Sequence, residues 1–198
     1  VGDGVDDTIN FLMPADHKIT LSTDKWGTSS GDPLGNLRAW KRKIAKDSGR
    51  TANTAVLSGE ALDAFYNSQK MLDQLNSRRV DMGLIVPTEL PDGVTYIGYL
   101  NDPGIDVYAY DEWYIDGAGV ERPMIPAGGL ILGATNTRNA MLYGAIQDLD
   151  AIESGLVQAS RFPKSWVTPE PSARWLKVIS APLAGLLEPD AFAYAKVV

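Results

Sequence analysis

Cysteine is absent from the sequence, which excludes disulfides and thiolate metal sites and leaves packing and association as the sources of stability. No apolar run approaches the roughly eighteen residues a membrane-spanning helix needs. The amino terminus has neither a basic n-region nor an apolar h-region, so neither export nor a membrane partner is expected. Histidine occurs once, as His17. Positive charge is in deficit, with 18 Lys and Arg against 25 Asp and Glu and a net charge of -7. Tight binding to a phosphate backbone runs on Lys and Arg neutralisation, so a protein that grips nucleic acid is not expected. An acidic wall that encloses DNA without adhering to it remains compatible.

Against these absences stand 198 residues, 44% of them apolar, enough for one compact domain or two small ones sharing a core. Ile9 to Met13 and His17 to Leu21 read as short strands joined by a turn at Pro14-Ala15-Asp16. Asp32-Pro33 supplies an N-cap and a first-turn proline for a helix carrying Leu34, Leu37 and Ile44 on one stripe and ending at Gly49. Ser58 caps a second helix, predicted to run to about Arg79 with Ala61, Leu62, Phe65, Leu72 and Leu75 on its inner face. Strands are expected over residues 52–57, 80–87, 94–100 and 105–115, the last alternating between apolar and polar positions with aromatic weight. Asp116-Gly117-Ala118-Gly119 is a turn, returning through 120–125. Further strands are expected at 130–132, 141–147, 175–179 and 192–198, with a polar segment over 158–164 followed by Trp166 to Thr168. The fold class is α+β, two helices on a largely β framework.

Several groups of residues invite a chemical reading. Gly27-Thr28-Ser29-Ser30-Gly31 matches G-x-S-x-G and lies between an expected strand and a helix, which raises a serine hydrolase using Ser29. The base of such an elbow follows the serine in sequence, whereas His17 precedes it, so a loop is the simpler reading. His17 alone supports no ligand set; it reads as a surface group or one satisfied by a neighbour. Asp148, Asp150 and Glu153 could hold Mg²⁺ or Ca²⁺, but alternation along a strand end would split them between two faces. Asp3, Asp6 and Asp7 lack the glutamate that closes a calcium loop. Arg38, Lys41, Arg42 and Lys46 line one helix face and could receive an acidic segment of a neighbouring chain, or simply be solvated. Tyr108, Tyr110, Trp113 and Tyr114 could stack bases as part of an acidic binding module, yet no basic groove accompanies them, which favours a packed sheet or a protein interface. No Walker, Rossmann or zinc spacing occurs, and no catalytic residue, cofactor or metal ion is expected.

The final third carries an ordered set of segments: Tyr143-Gly144-Ala145-Ile146-Gln147-Asp148, Arg161-Phe162-Pro163-Lys164-Ser165-Trp166-Val167-Thr168, Ser180-Ala181-Pro182-Leu183 and Glu188-Pro189-Asp190-Ala191-Phe192. In that order they resemble the major capsid proteins of lambda-like tailed bacteriophages. Weaker similarity runs upstream through Trp26, Asp32-Pro33, Ser48-Gly49 and the helix after Ser58. One departure is Pro169-Glu170-Pro171, where the family often has Asp-Pro. The resemblance implies the Hong Kong-type capsid fold, with residues 32–146 and 182–198 axial and residues 1–31 and 147–181 peripheral. It implies a structural subunit of an icosahedral head enclosing DNA. The implied partners are copies of itself in hexamers and pentamers, with scaffold, decoration and portal proteins, in the virion head and, during assembly, the host cytoplasm. An encapsulin-like cellular shell protein is the alternative of the same class. Family members begin with an arm, an extended loop and a spine helix that find no room before Val1, and the chain opens without Met, so a fragment or processed form is expected.

Overall fold

Asp32 opens the first helix by accepting the backbone N–H of Gly35 on its side chain at 2.9 Å, and Pro33 fills a position whose N–H would have no helical acceptor. In the computed structural model, which describes residues 10–76, 85–155 and 159–198, this helix, α1, spans Pro33–Ser48. It stops at Gly49, which sits in the left-handed region at φ 67° and donates to the Ala45 carbonyl at 3.1 Å. The expected stripe of Leu34, Leu37 and Ile44 is buried, and Trp40 joins it.

In chain order the strands of the main sheet are β1 (Lys18–Thr20), β2 (Thr54–Leu57), β3 (Ile85–Glu89), β4 (Val94–Leu100) and β5 (Ile105–Tyr110). A hairpin of β6 (Trp113–Ile115) and β7 (Glu121–Pro123) precedes β8 (Gly129–Gly133). Then come β9 (Ala140–Tyr143), β10 (Phe162–Thr168), β11 (Ala173–Ile179), β12 (Pro182–Gly185) and β13 (Phe192–Lys196). Seven of them form one sheet in the order β1-β13-β8-β2-β5-β4-β3, parallel at β1/β13 and β2/β5 and otherwise antiparallel. Strand alternation decides which side chains are buried. Leu130 and Leu132 of β8 and Ile105, Val107 and Ala109 of β5 face the core; Ile131, Tyr108 and Tyr110 point away from it. Ala55, Ala193 and Ala195 are small enough to let the helices lie close on that core face, where Leu34, Leu37, Ile44 and Phe65 complete one cluster.

Four expectations are corrected. The helix after Ser58 is interrupted: α2 covers Gly59–Tyr66, and α3 restarts over Gln69–Asn76. The reason is Ser68, which is buried and donates its hydroxyl to the Gly31 carbonyl at 3.3 Å, a bond outside the helical ladder. The side chains of Leu72 and Leu75, and residues 77–84 with Arg78 and Arg79, lie outside the described part. Asn10 to Met13 is not a strand, because Leu12 takes φ 57° and donates its N–H to Asn10 Oδ1 at 2.9 Å. The strand expected over 105–115 is cut at Asp111-Glu112, and its second half becomes β6. The segment 141–147 does not enter the large sheet: β9 pairs only with β12, its residues are exposed, and Ile146 is buried beyond the strand's end.

By contacts the chain divides into two compact units, residues up to Thr137 with Glu188–Val198, and Arg138–Leu187. β1 pairs with β13, and the Trp26 N–H donates to the Val197 carbonyl at 2.8 Å, so the described residues before Asp32 share the unit of the large sheet. The second unit holds β9 with β12, the hairpin β10–β11, and α4 (Leu149–Glu153).

Candidate assembly surfaces

Gly27 to Gly31 forms an exposed turn, closed by Thr28 Oγ1 donating to the Lys25 carbonyl at 2.6 Å and by the Gly31 N–H donating to the Thr28 carbonyl. Gly31 also accepts Ser68, so the turn is fixed to the α2–α3 junction. Ser29 points to solvent. His17 is committed elsewhere: fully buried, it sets Nδ1 2.7 Å from the Phe192 carbonyl and Nε2 3.0 Å from Asp47 Oδ2. Both ring nitrogens are occupied by acceptors, so the imidazole ties α1 to β13. Lys43 reinforces the tie at the surface by pairing with Asp16 at 2.5 Å and Asp47 at 3.8 Å. It holds the Asp16 carboxyl below its ordinary range.

The cationic row on α1 is half consumed within the unit. Arg38 makes a two-pronged bond to Asp102 at 3.0 and 2.8 Å. Lys41 donates to the carbonyls of Pro103 and Gly104 at 2.6 and 2.8 Å, and burial pushes its pKa down. These bonds pin the β4–β5 turn to the helix, a role the sequence did not announce. Arg42 and Lys46 remain exposed without a partner among the described residues. With Arg38 and Lys41, Arg42 borders a hollow of about 290 Å³.

In the second unit the acidic stretch is a helix start, not a strand end. Asp148 caps α4 by accepting the Asp150 N–H at 3.0 Å, and Lys164 of β10 reaches both acids, at 3.1 Å from Asp148 and 2.5 Å from Asp150. Glu153 is exposed. The lysine offsets one of the two negative charges and occupies the space between the carboxylates. The expected polar segment before Trp166 is instead the start of β10. Trp166 lies directly opposite Trp175 of β11, with ring centroids 6.4 Å apart and planes within 16°. The ammonium of Lys164 holds the Asp148 carboxyl below its ordinary 3.8. That stabilisation is complete above pH 3.8 and is lost as pH falls through the lower folded value. The second unit should therefore loosen on acidification below about pH 4, and Lys164→Met should remove that part of the acid dependence. Urea melts of both proteins across pH check this; an identical acid limb in the variant would contradict it.

The aromatic group is not one platform. Tyr108 stands beside Tyr96 on the open face of the sheet, with centroids 5.1 Å apart, and Tyr96 donates to Asp106 at 3.0 Å. Tyr110 donates to Glu112, and these carboxylates raise the pKa of both donor phenols. Trp113 and Tyr114 belong to the separate β6–β7 hairpin and are exposed. Among the described residues no group of three or more His, Asp or Glu could hold a metal ion, and no helix is long and apolar enough to cross a membrane. Asp3, Asp6 and Asp7 lie outside the described residues.

The sequence and the fold both have known relatives. A family model described as "Phage major capsid protein E" matches residues 1–197. The major capsid protein of Escherichia phage lambda is 30% identical over 83% of this chain and 47% of its own length. A prophage-derived major head protein of Escherichia coli strain CFT073 is 32% identical over 73% of this chain and 43% of its own. The chain thus spans about half the length of these curated relatives. The crystal structure of a putative capsid protein from a prophage of the same strain superposes with a TM-score of 0.72 at 22% identity, covering 94% of this chain and 54% of that one. That likeness shows a shared capsid fold, and with the family model matching nearly every residue, the chain belongs to the phage major capsid protein E family.

Proposed function

We propose that this chain is part of a structural subunit of a phage or prophage head, one that assembles with copies of itself, in hexamers and pentamers, into the icosahedral shell around packaged DNA. The observation that supports this most is the family match running through residues 1–197. In this reading the unit bearing the large sheet is the axial domain and residues 138–187 belong to the peripheral one, a shift from the boundaries implied by the resemblance alone. The net charge of -7 suits a wall that surrounds DNA without gripping it. Scaffold, decoration and portal proteins are the further partners, and the virion head is the final location, reached from the host cytoplasm. A structural role without catalysis fits this reading, in which Ser29 is a loop residue and His17 is engaged by Phe192 and Asp47.

The test is velocity sedimentation of the full gene product that carries these residues, with fluorophosphonate labelling in parallel. Particles far heavier than a subunit and an unlabelled Ser29 are expected. A species that stays at subunit mass at every concentration would overturn the shell reading. Labelling of Ser29 that denaturation abolishes would overturn the non-enzymatic one.

A further inference from the structure

Opposite charges collect at the two ends of β5. At its start the β4–β5 turn is pinned to the cationic face of α1, where Arg42 and Lys46 are exposed with no partner among the described residues. Arg42 borders the hollow of about 290 Å³ together with Arg38, Lys41 and Thr51. Asp102 offsets the charge of Arg38, at 2.8 Å, but the two groups that accept from Lys41 are neutral carbonyls, so the face stays net positive. That is the reverse of the chain as a whole, whose net charge is -7. The hollow has room for a carboxylate side chain, with the Arg42 guanidinium and the Thr51 hydroxyl as donors.

The other end lies where β5 finishes. Asp111 and Glu112 follow its last residue, the Asp111 N–H donates to the Gly93 carbonyl at 3.2 Å, and Asp92 stands beside Gly93 in the turn between β3 and β4. Tyr110 donates its phenol to Glu112, and that bond, burial and the charges of Glu112 and Asp92 raise its pKa. None of Asp92, Asp111 and Glu112 has an ion pair among the described residues. β5 is 6 residues long, so about 20 Å separates the two ends, more than twice the screening length of about 8 Å at physiological salt. The two sets of charges therefore do not neutralise each other within one copy.

We propose that the cationic α1 face of one copy receives the acidic end, Asp92 with Asp111 and Glu112, of a second copy. This rests on the shell-subunit reading and deepens it by naming one contact. Two copies meeting α1 to α1, or acid to acid, would bring like charges together, and only the head-to-tail contact joins opposite ones. Such a contact uses a different surface on each partner and, repeated by rotation, closes into a ring, the local arrangement a shell requires. Every copy carries both surfaces, so a closed ring satisfies all of them.

The experiment uses the full gene product and reads shell yield by sedimentation and negative-stain microscopy, with circular dichroism and subunit melting as the check on folding. Arg42→Glu and Asp111→Arg each set like charges together at every contact and are each expected to cut the yield about 10-fold or more while the subunit melts as wild type does. Arg42→Gln and Asp111→Asn remove charge without reversing it and are expected to lose less; they decide the matter for any reversal that lowers the melting temperature. The combined Arg42→Glu and Asp111→Arg protein restores opposite charge and is expected to recover most of the yield. Loss in the Arg42 variants with none in the Asp111 variants would put a different acidic partner on α1 and overturn the contact. Single variants that assemble like wild type, or a combined variant no better than the singles, would overturn it too, and each of these results leaves the shell reading intact. Wild-type protein that forms no shells would sink both.

Discussion

Leu132→Asp is expected to prevent folding of the unit that carries the large sheet, whereas Ile131→Asp, one residue earlier on the same strand, is expected to fold. β8 lies between β13 and β2, and Leu132 is fully buried on its core face among Ala55, Ala193 and the helices. A carboxylate there has no partner, and an unpaired buried charge costs several kcal/mol against a total stability of about 5–15 kcal/mol. Ile131 is 37% exposed on the opposite face, where the same carboxylate keeps its water. Circular dichroism and thermal melting of the two variants check the register as well as the core. A cooperatively melting Leu132→Asp protein, or an Ile131→Asp protein that fails to fold, would show β8 turned the other way.

Trp26→Ala is expected to cost about 3–5 kcal/mol, the usual range for emptying a buried indole. The ring is 2% exposed and stacks on Trp40 with centroids 6.2 Å apart and planes within 14°; Phe65 abuts it at 5.8 Å. It joins three segments that no local pattern connects: the loop after β1, α1 and α2. Its Nε1 has no hydrogen-bond partner among the described residues, so the stabilisation comes from area and stacking. Trp26→Phe should therefore cost clearly less than Trp26→Ala. Guanidinium denaturation of the three proteins measures this; equal losses in both variants would mean that a bond to the indole N–H, and not packing, holds the site.

Features fixed by neighbours in sequence were legible before the structure. The Asp32-Pro33 start and Gly49 stop of α1, the Ser58 cap and the turn at Asp116 to Gly119 each rest on hydrogen bonds closed within a few residues. Features decided at a distance were not. The break between α2 and α3 depends on Ser68 meeting a carbonyl 37 residues away, and the helical periodicity on both sides conceals it. His17 finds Asp47 and Phe192 only after α1 and β13 are in place, so the sequence left open whether it was a surface group or one satisfied by a neighbour, and the structure shows the latter. β9 had the right strand character, but its partner β12 puts it in a small exposed sheet, and apolar residues alone do not tell a central strand from such a pair. The helix after Asp148 was missed because Asp148 was read as a strand end, whereas its side chain caps the helix by accepting the Asp150 N–H.

The most direct test of the central claim is an electron cryomicroscopy reconstruction of the particles formed by the full gene product. Closed shells of icosahedral symmetry are predicted, with the seven-stranded unit fitting each subunit's density. The absence of closed shells, or subunit density that the β1-β13-β8-β2-β5-β4-β3 sheet does not fit, would contradict it.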